Sequence, residues 1–220
     1  MKPVVFCDFD GTVTAEDVQH VILNHYAGDA WIPVNEAWRR FEITTEERCR
    51  RQWALVHATE SDLAQLAAQV PLDPGFRDFV TFCHEQGYDL RIVSDGFDFY
   101  IRRLLEVHGL SRIPFYANHL SFQGCHIALS FSRPNPGCCT FGNCKRLLVE
   151  ELRPPGGRAI YVGDGLSDRC GAEAADLVFA KGLLAGYLEQ RGLPFHPFRR
   201  FGDVTAALQG LERRDGPIQQ

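Results

Sequence analysis

Short apolar runs recur along the chain, and each has the length and composition of a strand that is buried on both faces. They cover residues 4–7, 90–93, 115–118, 159–162 and 176–179. Apolar residues at helical spacing separate the runs. Alternating strands and helices are typical of a parallel sheet with helices on both faces and right-handed crossovers. The pattern therefore predicts an α/β fold built on a doubly wound parallel sheet.

The stretch between the first two runs is much longer than a single crossover requires, and it follows helical spacing almost throughout. Thr44 and Glu47 have the spacing of a capping box, in which Thr44 bonds forward and Glu47 reaches back. A further helix is predicted over residues 62–70, and the prolines at 71 and 74 end it. This stretch is expected to form a small helical cap.

Two more features complete the predicted architecture. Residues 120–122 and 126–129 lie on either side of a Gln-Gly pair, which predicts a β-hairpin flap. The predicted domains are a catalytic core of residues 1–13 and 76–220 and a helical cap of residues 14–75. The expected fold is a Rossmann-like doubly wound sheet with an inserted cap and a flap.

Composition narrows the class of protein. A chain of 220 residues suits one α/β domain with an insertion, and a net charge of −5 gives no electrostatic footprint for nucleic acid. No apolar run approaches the length of a membrane span, and the N-terminus lacks a leader pattern. We expect a cytoplasmic protein with no membrane or nucleic-acid partner and a disordered tail over residues 213–220. The sequence leaves the oligomeric state open.

The eight cysteines suggest reduced thiols or metal ligands, because a chain without a secretion signal is unlikely to need disulfides. Cys125, Cys138, Cys139 and Cys144, with His126 nearby, could bind zinc. Their spacing lacks a clean Cys-x-x-Cys pair, so plain thiols are the alternative. The sequence does not decide between them.

The segment Asp8-Phe9-Asp10-Gly11-Thr12 follows the first apolar run directly. Two carboxylates two residues apart at the end of a strand point to the same face. They repel each other unless a metal, a lysine or a shared proton compensates. The segment predicts a site for a cation and a phosphoryl group. The alternative is a solvated acidic turn.

Three further polar groups occur at comparable places. Ser94-Asp95-Gly96 ends the second run, Lys145 begins a helical pattern, and residues 163–168 contain Asp164 and Asp168 after another run. In this order and on these elements, the four motifs resemble those of the haloacid dehalogenase-like phosphohydrolase superfamily. The resemblance extends from residue 4 to residue 168.

The resemblance implies a reaction through an aspartyl-phosphate. Asp8 would be the nucleophile, Asp10 the general acid and base, and Thr12 would orient Asp10. Lys145 would supply a fixed positive charge against Asp8 and the transferred phosphoryl group. Ser94, with the backbone amides of Asp95 and Gly96 at a helix N-terminus, would bind the phosphoryl oxygens.

The implied cofactor is Mg²⁺, which prefers hard oxygen ligands. By resemblance, the Asp8 carboxylate, the Asp10 backbone carbonyl and Asp164 would bind the ion, and Asp168 would hold a metal-bound water. Ser167 departs from the asparagine that phosphoserine phosphatases have at this position, which weakens the assignment to phosphoserine.

The implied partner is a small phosphorylated metabolite. The resemblance is to the branch with a small helical cap, which includes phosphoserine, phosphocholine and pyridoxal-phosphate or thiamine-phosphate phosphatases. Within it the chain looks most like the methionine-salvage group acting on 2-hydroxy-3-keto-5-methylthiopentenyl-1-phosphate. Asp17 and Arg48 could face the substrate or solvent. Four aromatic residues of the cap could line the pocket or form the core of the cap: Trp31, Trp38, Phe41 and Trp53.

Two classes of protein without enzymatic activity are the alternatives to an enzyme. A phospho-receiver module also combines acids, a hydroxyl and a lysine, but Asp10 would shorten the life of its phosphorylated state. An inactive binding protein is expected to lose one of the four central residues, and none is missing: Asp8, Asp10, Lys145 and Asp164. The remaining histidines show no ligand spacing and are expected at the surface or in the core, among them His20.

Overall fold

The computed structural model describes residues 2–124, 126–135, 137 and 142–215, with the side chains of 212, 214 and 215 left out. Within this part of the chain the strands are β1 (Val4–Cys7), β2 (Asp89–Phe97), β3 (Phe115–Gln123), β4 (His126–Ser130), β5 (Ala159–Gly163), β6 (Leu177–Ala180) and β7 (His196–Pro197). They form a seven-stranded sheet in the order β4-β3-β2-β1-β5-β6-β7. All neighbours are parallel except β3 and β4. The predicted α/β fold class is confirmed.

Helices connect the strands. They are α1 (Val18–Ala27), α2 (Ile32–Arg39), α3 (Thr45–Trp53), α4 (Glu60–Ala67), α5 (Phe76–Gln86), α6 (Asp98–Val107), α7 (Lys145–Leu152), α8 (Arg169–Glu173), α9 (Gly182–Gln190) and α10 (Phe201–Asp215). Alternate residues of β1 enter opposite apolar cores, with Val5 and Cys7 in one and Val4 and Phe6 in the other. The sheet is therefore covered on both faces, as its continuous apolar runs require. No helix in the described part of the chain has the length and apolar character needed to cross a membrane.

The sequence predicted two separate strands, a parallel strand over residues 115–118 and a hairpin strand over residues 120–122. In the structure both belong to the single strand β3. Its first half pairs in parallel with β2, and its second half, from His119 to Gln123, pairs antiparallel with β4. The register with β2 shifts between Val93 and Phe97, and the last pair of the two strands joins Phe97 and Asn118. The predicted flap is thus an extension of a core strand.

Two predictions at the C-terminal end need correction. The strand β7 was not predicted, because two residues are too few to show a pattern. Residues 213–215, which were expected to be disordered, extend helix α10. Residues 216–220 lie outside the described part of the chain.

The helical stretch before α5 also differs from the prediction in detail. Thr44 accepts a hydrogen bond from the Glu47 backbone amide at 3.1 Å, as expected for an N-cap. The Glu47 carboxylate, however, accepts from Arg51 one turn later at 2.5 Å and does not reach back. A complete capping box lies instead at Thr59 and Asp62, where α4 begins.

The predicted division into core and cap stays a prediction. An isolated antiparallel bridge between Thr14 and Leu72 joins the two ends of the helical stretch. Its buried apolar residues belong to the same cluster as one face of the sheet. Trp53 of α3, for example, packs edge-on against Phe97 with ring centroids 5.4 Å apart.

Candidate active site

The site begins at the tight turn Phe9–Val13 that follows β1. Gly11 has φ +81°, and a Cβ there would lie 2.9 Å from an Asp164 carboxylate oxygen, so only glycine fits. The resemblance implied that Thr12 orients Asp10. In the structure the Thr12 hydroxyl donates to Asp164 Oδ1 at 2.5 Å instead. The turn therefore ties the end of β1 to the end of β5.

Asp10 is held by two donors. Tyr100 donates its hydroxyl to Asp10 Oδ2 at 2.8 Å, and the Val18 backbone amide donates to Oδ1 at 3.0 Å. Desolvation, with a further contribution from the charge of Asp17, raises the pKa of Asp10 to about 8. Asp10 is therefore largely protonated near neutral pH and has a proton to donate. The sequence showed Tyr100 only as an apolar position of a helix.

Lys145 lies between two aspartates. Its Nζ is 2.6 Å from Asp8 Oδ1 and 2.5 Å from Asp168 Oδ1, and all three side chains are buried. Burial lowers the pKa of Lys145, but the carboxylates of Asp168 and Asp8 outweigh it and raise the pKa above its ordinary value. Burial and Asp168 raise the pKa of Asp8 well above its ordinary value, and Lys145 offsets this rise only in part. The lysine stays charged and reduces the cost of ionising Asp8.

The Asp168 carboxylate accepts hydrogen bonds from four groups of the protein. Besides Lys145, its carboxylate accepts from the Tyr161 hydroxyl at 2.7 Å. It also accepts from the backbone amides of Asp164 and Gly165 at 3.0 and 2.9 Å. Asp168 thus positions the lysine and the loop after β5. Tyr161 lies within an apolar run, so its sequence position gave no sign of this contact.

Asp8, Asp164 and Asp168 offer oxygen atoms that all lie within 4.8 Å of one another. Such a cluster of carboxylates fits a hard divalent cation. Burial and the neighbouring Asp168 raise the pKa of Asp164 to about 6, and a cation would offset this repulsion. The carboxylate of Asp10 is held by Tyr100 and Val18 and is not part of this cluster.

The segment Ser94–Gly96 lies at the end of β2. The Ser94 hydroxyl accepts from the Gly96 amide at 2.9 Å. Helix α6 begins only at Asp98, so the motif is not at the helix N-terminus as predicted. A Cβ on Gly96 would lie 1.9 Å from the Tyr100 hydroxyl and 2.5 Å from Asp10 Oδ2. The glycine is needed because Tyr100 and Asp10 approach its backbone.

Asp95 connects this strand end to the stretch before Lys145. Its Oδ1 accepts from the Asn143 backbone amide at 3.0 Å, and its backbone carbonyl accepts from the Asn118 side chain at 2.8 Å. The Asn143 side chain donates to the Ser94 carbonyl at 3.0 Å. Neither asparagine belongs to a motif, and sequence reasoning missed both. The network fixes the start of α7 relative to β2.

A cavity of about 440 Å³ lies between these strand ends and helices α1, α2 and α3. Eight of the predicted site residues line it: Asp8, Asp10, Asp17, Arg48, Ser94, Asp95, Gly96 and Asp164. Thr12, Lys145 and Asp168 lie buried beneath its floor. The structure thus brings every predicted site residue to one place.

Several cavity residues were missed. They are Gln19, His20, Asn35, Arg39 and Lys181. Lys181 follows the end of β6 just as Asp164 follows β5, which is a signal that could have found it. His20, expected at the surface or in the core, lines the cavity, stacks on Trp31 at 4.6 Å and lies 3.3 Å from Asp17.

The four aromatic residues of the helical stretch divide between the two predicted roles. Trp38 lines the cavity. Trp31 and Trp53 are buried in the apolar core. Phe41 is 60% exposed, and the Arg169 guanidinium lies over its ring at 4.5 Å. One of the four therefore lines the cavity, and two belong to the core.

The predicted thiol cluster can be assessed only in part. Cys125, Cys138 and Cys139 lie outside the described residues. Cys144 is buried at the N-cap of α7 and packs with Cys170, and its Sγ accepts from the Asn135 amide at 3.3 Å. A zinc site and plain thiols both stay hypotheses for this cluster.

The chain is similar in sequence to a known family and to named members of it. The profile of the haloacid dehalogenase-like hydrolases matches residues 5–173. The 2-hydroxy-3-keto-5-methylthiopentenyl-1-phosphate phosphatase of Brevibacillus brevis is 32% identical over 216 residues, covering 96% of this chain and 97% of that protein. Its counterpart in Geobacillus kaustophilus is 34% identical over 216 residues, covering 95% and 96%.

Solved structures show the same fold. A phospho-aspartyl intermediate analogue of phosphoserine phosphatase has a TM-score of 0.73 at 17% identity and covers 95% of this chain and 98% of that one. A substrate-bound phosphoserine phosphatase complex has a TM-score of 0.73 at 16% identity and covers 94% and 98%. At these identities the likeness concerns the fold alone.

Proposed function

The chain belongs to the haloacid dehalogenase-like hydrolase family and is a phosphatase of that family, and we propose that its substrate is 2-hydroxy-3-keto-5-methylthiopentenyl-1-phosphate. Relatives that bear this name match nearly the whole chain at 32% and 34% identity. The alternatives are phosphoserine, phosphocholine and pyridoxal or thiamine phosphate. The cytoplasmic location stays a prediction.

The observation that carries the proposed chemistry is the position of Lys145 between Asp8 and Asp168 at the carboxyl edge of the sheet. The Lys145 ammonium favours the carboxylate form of Asp8, whose second oxygen attacks phosphorus. A bond forms between Asp8 and phosphorus, and the bond to the leaving oxygen breaks. Asp10, which is protonated, gives its proton to that leaving oxygen.

The second step reverses the role of Asp10. Its carboxylate takes a proton from water as the water oxygen attacks phosphorus, and the bond to Asp8 breaks to release inorganic phosphate. Tyr100 and Val18 keep the Asp10 carboxyl in place through both steps. Lys145 offsets the negative charge on Asp8 and the phosphoryl group.

We propose that Mg²⁺ is held by the carboxylates of Asp8 and Asp164 and by the Asp10 carbonyl. Asp168 is engaged with Lys145 and the loop after β5, and it would position a metal-bound water. When bound, the ion would neutralise phosphoryl charge and orient the substrate. Ser94 and the backbone of Asp95 and Gly96 are proposed to contact the phosphoryl oxygens.

We propose that the helical stretch over residues 14–75 acts as a cap that closes the cavity. Asp17, Arg48 and Trp38 would then face the leaving group from its helices. A covered cavity of about 440 Å³ admits a small metabolite and excludes bulk water. Phosphoproteins and nucleic acids are therefore expected to be poor substrates.

A phosphate-release assay with Mg²⁺ over a panel of phosphate esters tests the proposal. We expect kcat/KM to be highest for the methylthio enol phosphate, ahead of phosphoserine, phosphocholine and pyridoxal phosphate. Asp8→Asn is the control and should abolish turnover of every ester. A tenfold preference for any of the other three overturns the substrate, whereas wild-type-like turnover in Asp8→Asn overturns the mechanism.

A further inference from the structure

Leu183 is an apolar residue on the wall of a cavity that is mainly polar. The apolar side chains among the cavity residues are Ala15, Trp38, Leu166 and Leu183. Trp38 belongs to α2, whereas Leu166 follows β5 and Leu183 lies in the first turn of α9. Leu183 is 46% exposed, so a ligand in the cavity can reach its side chain. The sheet and its helices therefore contribute an accessible apolar contact to this cavity.

The position of Leu183 distinguishes it from other exposed apolar side chains. Three more large ones are exposed in the described part of the chain: Ile32, Phe41 and Val107. None of these three is among the cavity residues. Single exposed apolar side chains are common on protein surfaces and need no explanation by themselves. Leu183 differs because its exposed surface borders the candidate active site, and this position carries the inference.

Backbone hydrogen bonds hold the start of α9 next to the acidic cluster. The Leu184 amide donates to the Asp164 carbonyl at 2.9 Å, and the Lys181 amide donates to the Gly163 carbonyl at 3.2 Å. The Leu184 side chain is buried in the core. Leu183 therefore has a fixed backbone beside Asp164. A contact that is already in place costs less ordering when a ligand binds.

A contact between α8, α9 and the end of α2 lies close to Leu183 along the chain. The Arg169 guanidinium lies 4.5 Å from the centroid of the Phe41 ring and 5.4 Å from that of the Tyr187 ring. Cation–π contacts within about 6 Å are attractive. Tyr187 is one turn after Leu183 on α9, and Phe41 is three residues after Trp38. Arg169 therefore holds the end of α2 near α9, so that Trp38 and Leu183 line one cavity from different elements.

The charged groups of the cavity offer an uncharged ligand little to bind. Arg39 and Lys181 also line the cavity, and both have partners. Arg39 lies 3.5 Å from the Glu36 carboxylate, and Lys181 Nζ lies 5.1 Å from the centroid of the Phe198 ring. A charged leaving group could approach these cations, whereas an uncharged chain gains by covering apolar surface. Dependence on Leu183 is therefore expected of an uncharged chain.

We propose that Leu183 is a specificity-determining residue that binds the apolar tail of the leaving group. This inference rests on the proposed function, in which the leaving group ends in a carbon chain with a methylthio group. The Leu183 side chain covers this chain from α9, and Trp38 lines the same cavity from α2. Each methylene that leaves water on binding makes the complex more stable. The enzyme should therefore prefer substrates with longer apolar tails.

The test measures how kcat/KM depends on tail length in the full-length enzyme with Mg²⁺. The substrates are 2-hydroxy-3-keto enol phosphates that differ only in the tail, which is methyl, ethyl, propyl or 2-methylthioethyl. We expect kcat/KM of the wild type to rise about two- to fourfold with each added methylene. Leu183→Ser should reduce this rise to less than about 1.5-fold, whereas Leu183→Met, which stays apolar, should keep it. Because each ratio is taken within one variant, a loss of folded enzyme cancels.

Val107→Ser is the matched control, because Val107 is 50% exposed on α6 and is not among the cavity residues. It should keep the tail dependence of the wild type. An unchanged tail dependence in Leu183→Ser overturns the inference, as does an equal loss in Val107→Ser. A change in sedimentation of Leu183→Ser with its tail dependence intact would assign Leu183 to a contact between copies and also overturns it.

The same series separates this inference from the proposed function. A wild type that hydrolyses the four enol phosphates equally well overturns the role of Leu183 and leaves the phosphatase reaction in place. A wild type that hydrolyses none of them overturns the proposed substrate itself.

Discussion

At the scale of single residues, Lys145 shows how the protein compensates a buried charge in the candidate site. A buried ammonium is very unfavourable unless it is paired, and here two carboxylates lie within 2.6 Å of it. Two negative charges against one positive charge leave the cluster anionic, and Asp164 adds to this. The excess negative charge is the physical reason for expecting a divalent cation at this point.

The close packing around Gly96 predicts the effect of a substitution at this residue on catalysis. A Cβ at this position would collide with the Tyr100 hydroxyl and with Asp10 Oδ2. Gly96→Ala should therefore displace Asp10 and lower kcat at least tenfold, since a misplacement of about 1 Å can cost on the order of 10²-fold. Gly210→Ala is the control, because a Cβ there meets nothing within 4 Å. It should leave kcat unchanged and stabilise α10 by roughly 0.5–1 kcal/mol. Unchanged kcat in Gly96→Ala would contradict the placement of Asp10.

At the scale of elements, the carboxyl ends of the parallel strands bring the candidate site residues together. Asp8 follows β1, Ser94 lies near the end of β2, Asp164 follows β5 and Lys181 follows β6. The carboxyl ends of parallel strands meet at one edge of an open sheet, where such folds bind ligands. Residues far apart in sequence thereby meet without a long loop. Residues of helices α1, α2 and α3 line the other side of the cavity at this edge.

The start of α4 allows a stability prediction for one of these helices. The Thr59 hydroxyl accepts from the Asp62 amide at 3.2 Å, and the Asp62 carboxylate accepts from the Thr59 amide at 3.1 Å. Thr59→Ala removes the first bond and should lower the free energy of unfolding by about 1 kcal/mol. Ser61→Ala, an exposed position in the same turn, should change it by less than about 0.5 kcal/mol. Denaturant unfolding measures both changes in free energy. Equal changes in the two variants would contradict the role of Thr59 as the N-cap of α4.

At the scale of the whole molecule, the helical stretch and the sheet share one apolar cluster. Contacts such as that of Trp53 with Phe97 link α3 directly to the end of β2. The geometry of the cavity therefore depends on how these helices pack on the sheet. A ligand that binds at the strand ends should raise the free energy of unfolding of the entire fold, because ligands that bind only the folded state stabilise it.

Mg²⁺ binding should therefore raise the temperature of unfolding. At a concentration a hundred times its Kd, the ion should stabilise the fold by about 2.7 kcal/mol. Removal of the ion with EDTA should reverse the shift and abolish turnover. Asp164→Asn should lose most of the shift, whereas Asp29→Asn, an exposed position outside the cavity, should keep it. An equal shift in Asp164→Asn would show that the ion binds elsewhere.

The sequence by itself determined six of the seven described strands and the order in which the candidate site residues follow them. Buried parallel strands must be continuously apolar, and the acids must follow them at the edge of the sheet. Asp8, Asp10, Lys145 and Asp164 could therefore be found from local patterns. Boundaries were less certain, as the continuous β3 shows, because an exposed extension has no strict apolar pattern.

The tertiary structure alone decided which side chains face the cavity. Trp38 and Trp53 look alike in sequence, yet Trp38 lines the cavity and Trp53 is buried in the core. Tyr100 bears no motif, and its contact with Asp10 arises only where α6 approaches the end of β1. Such contacts depend on the relative placement of elements distant in sequence, which no local spacing of residues specifies.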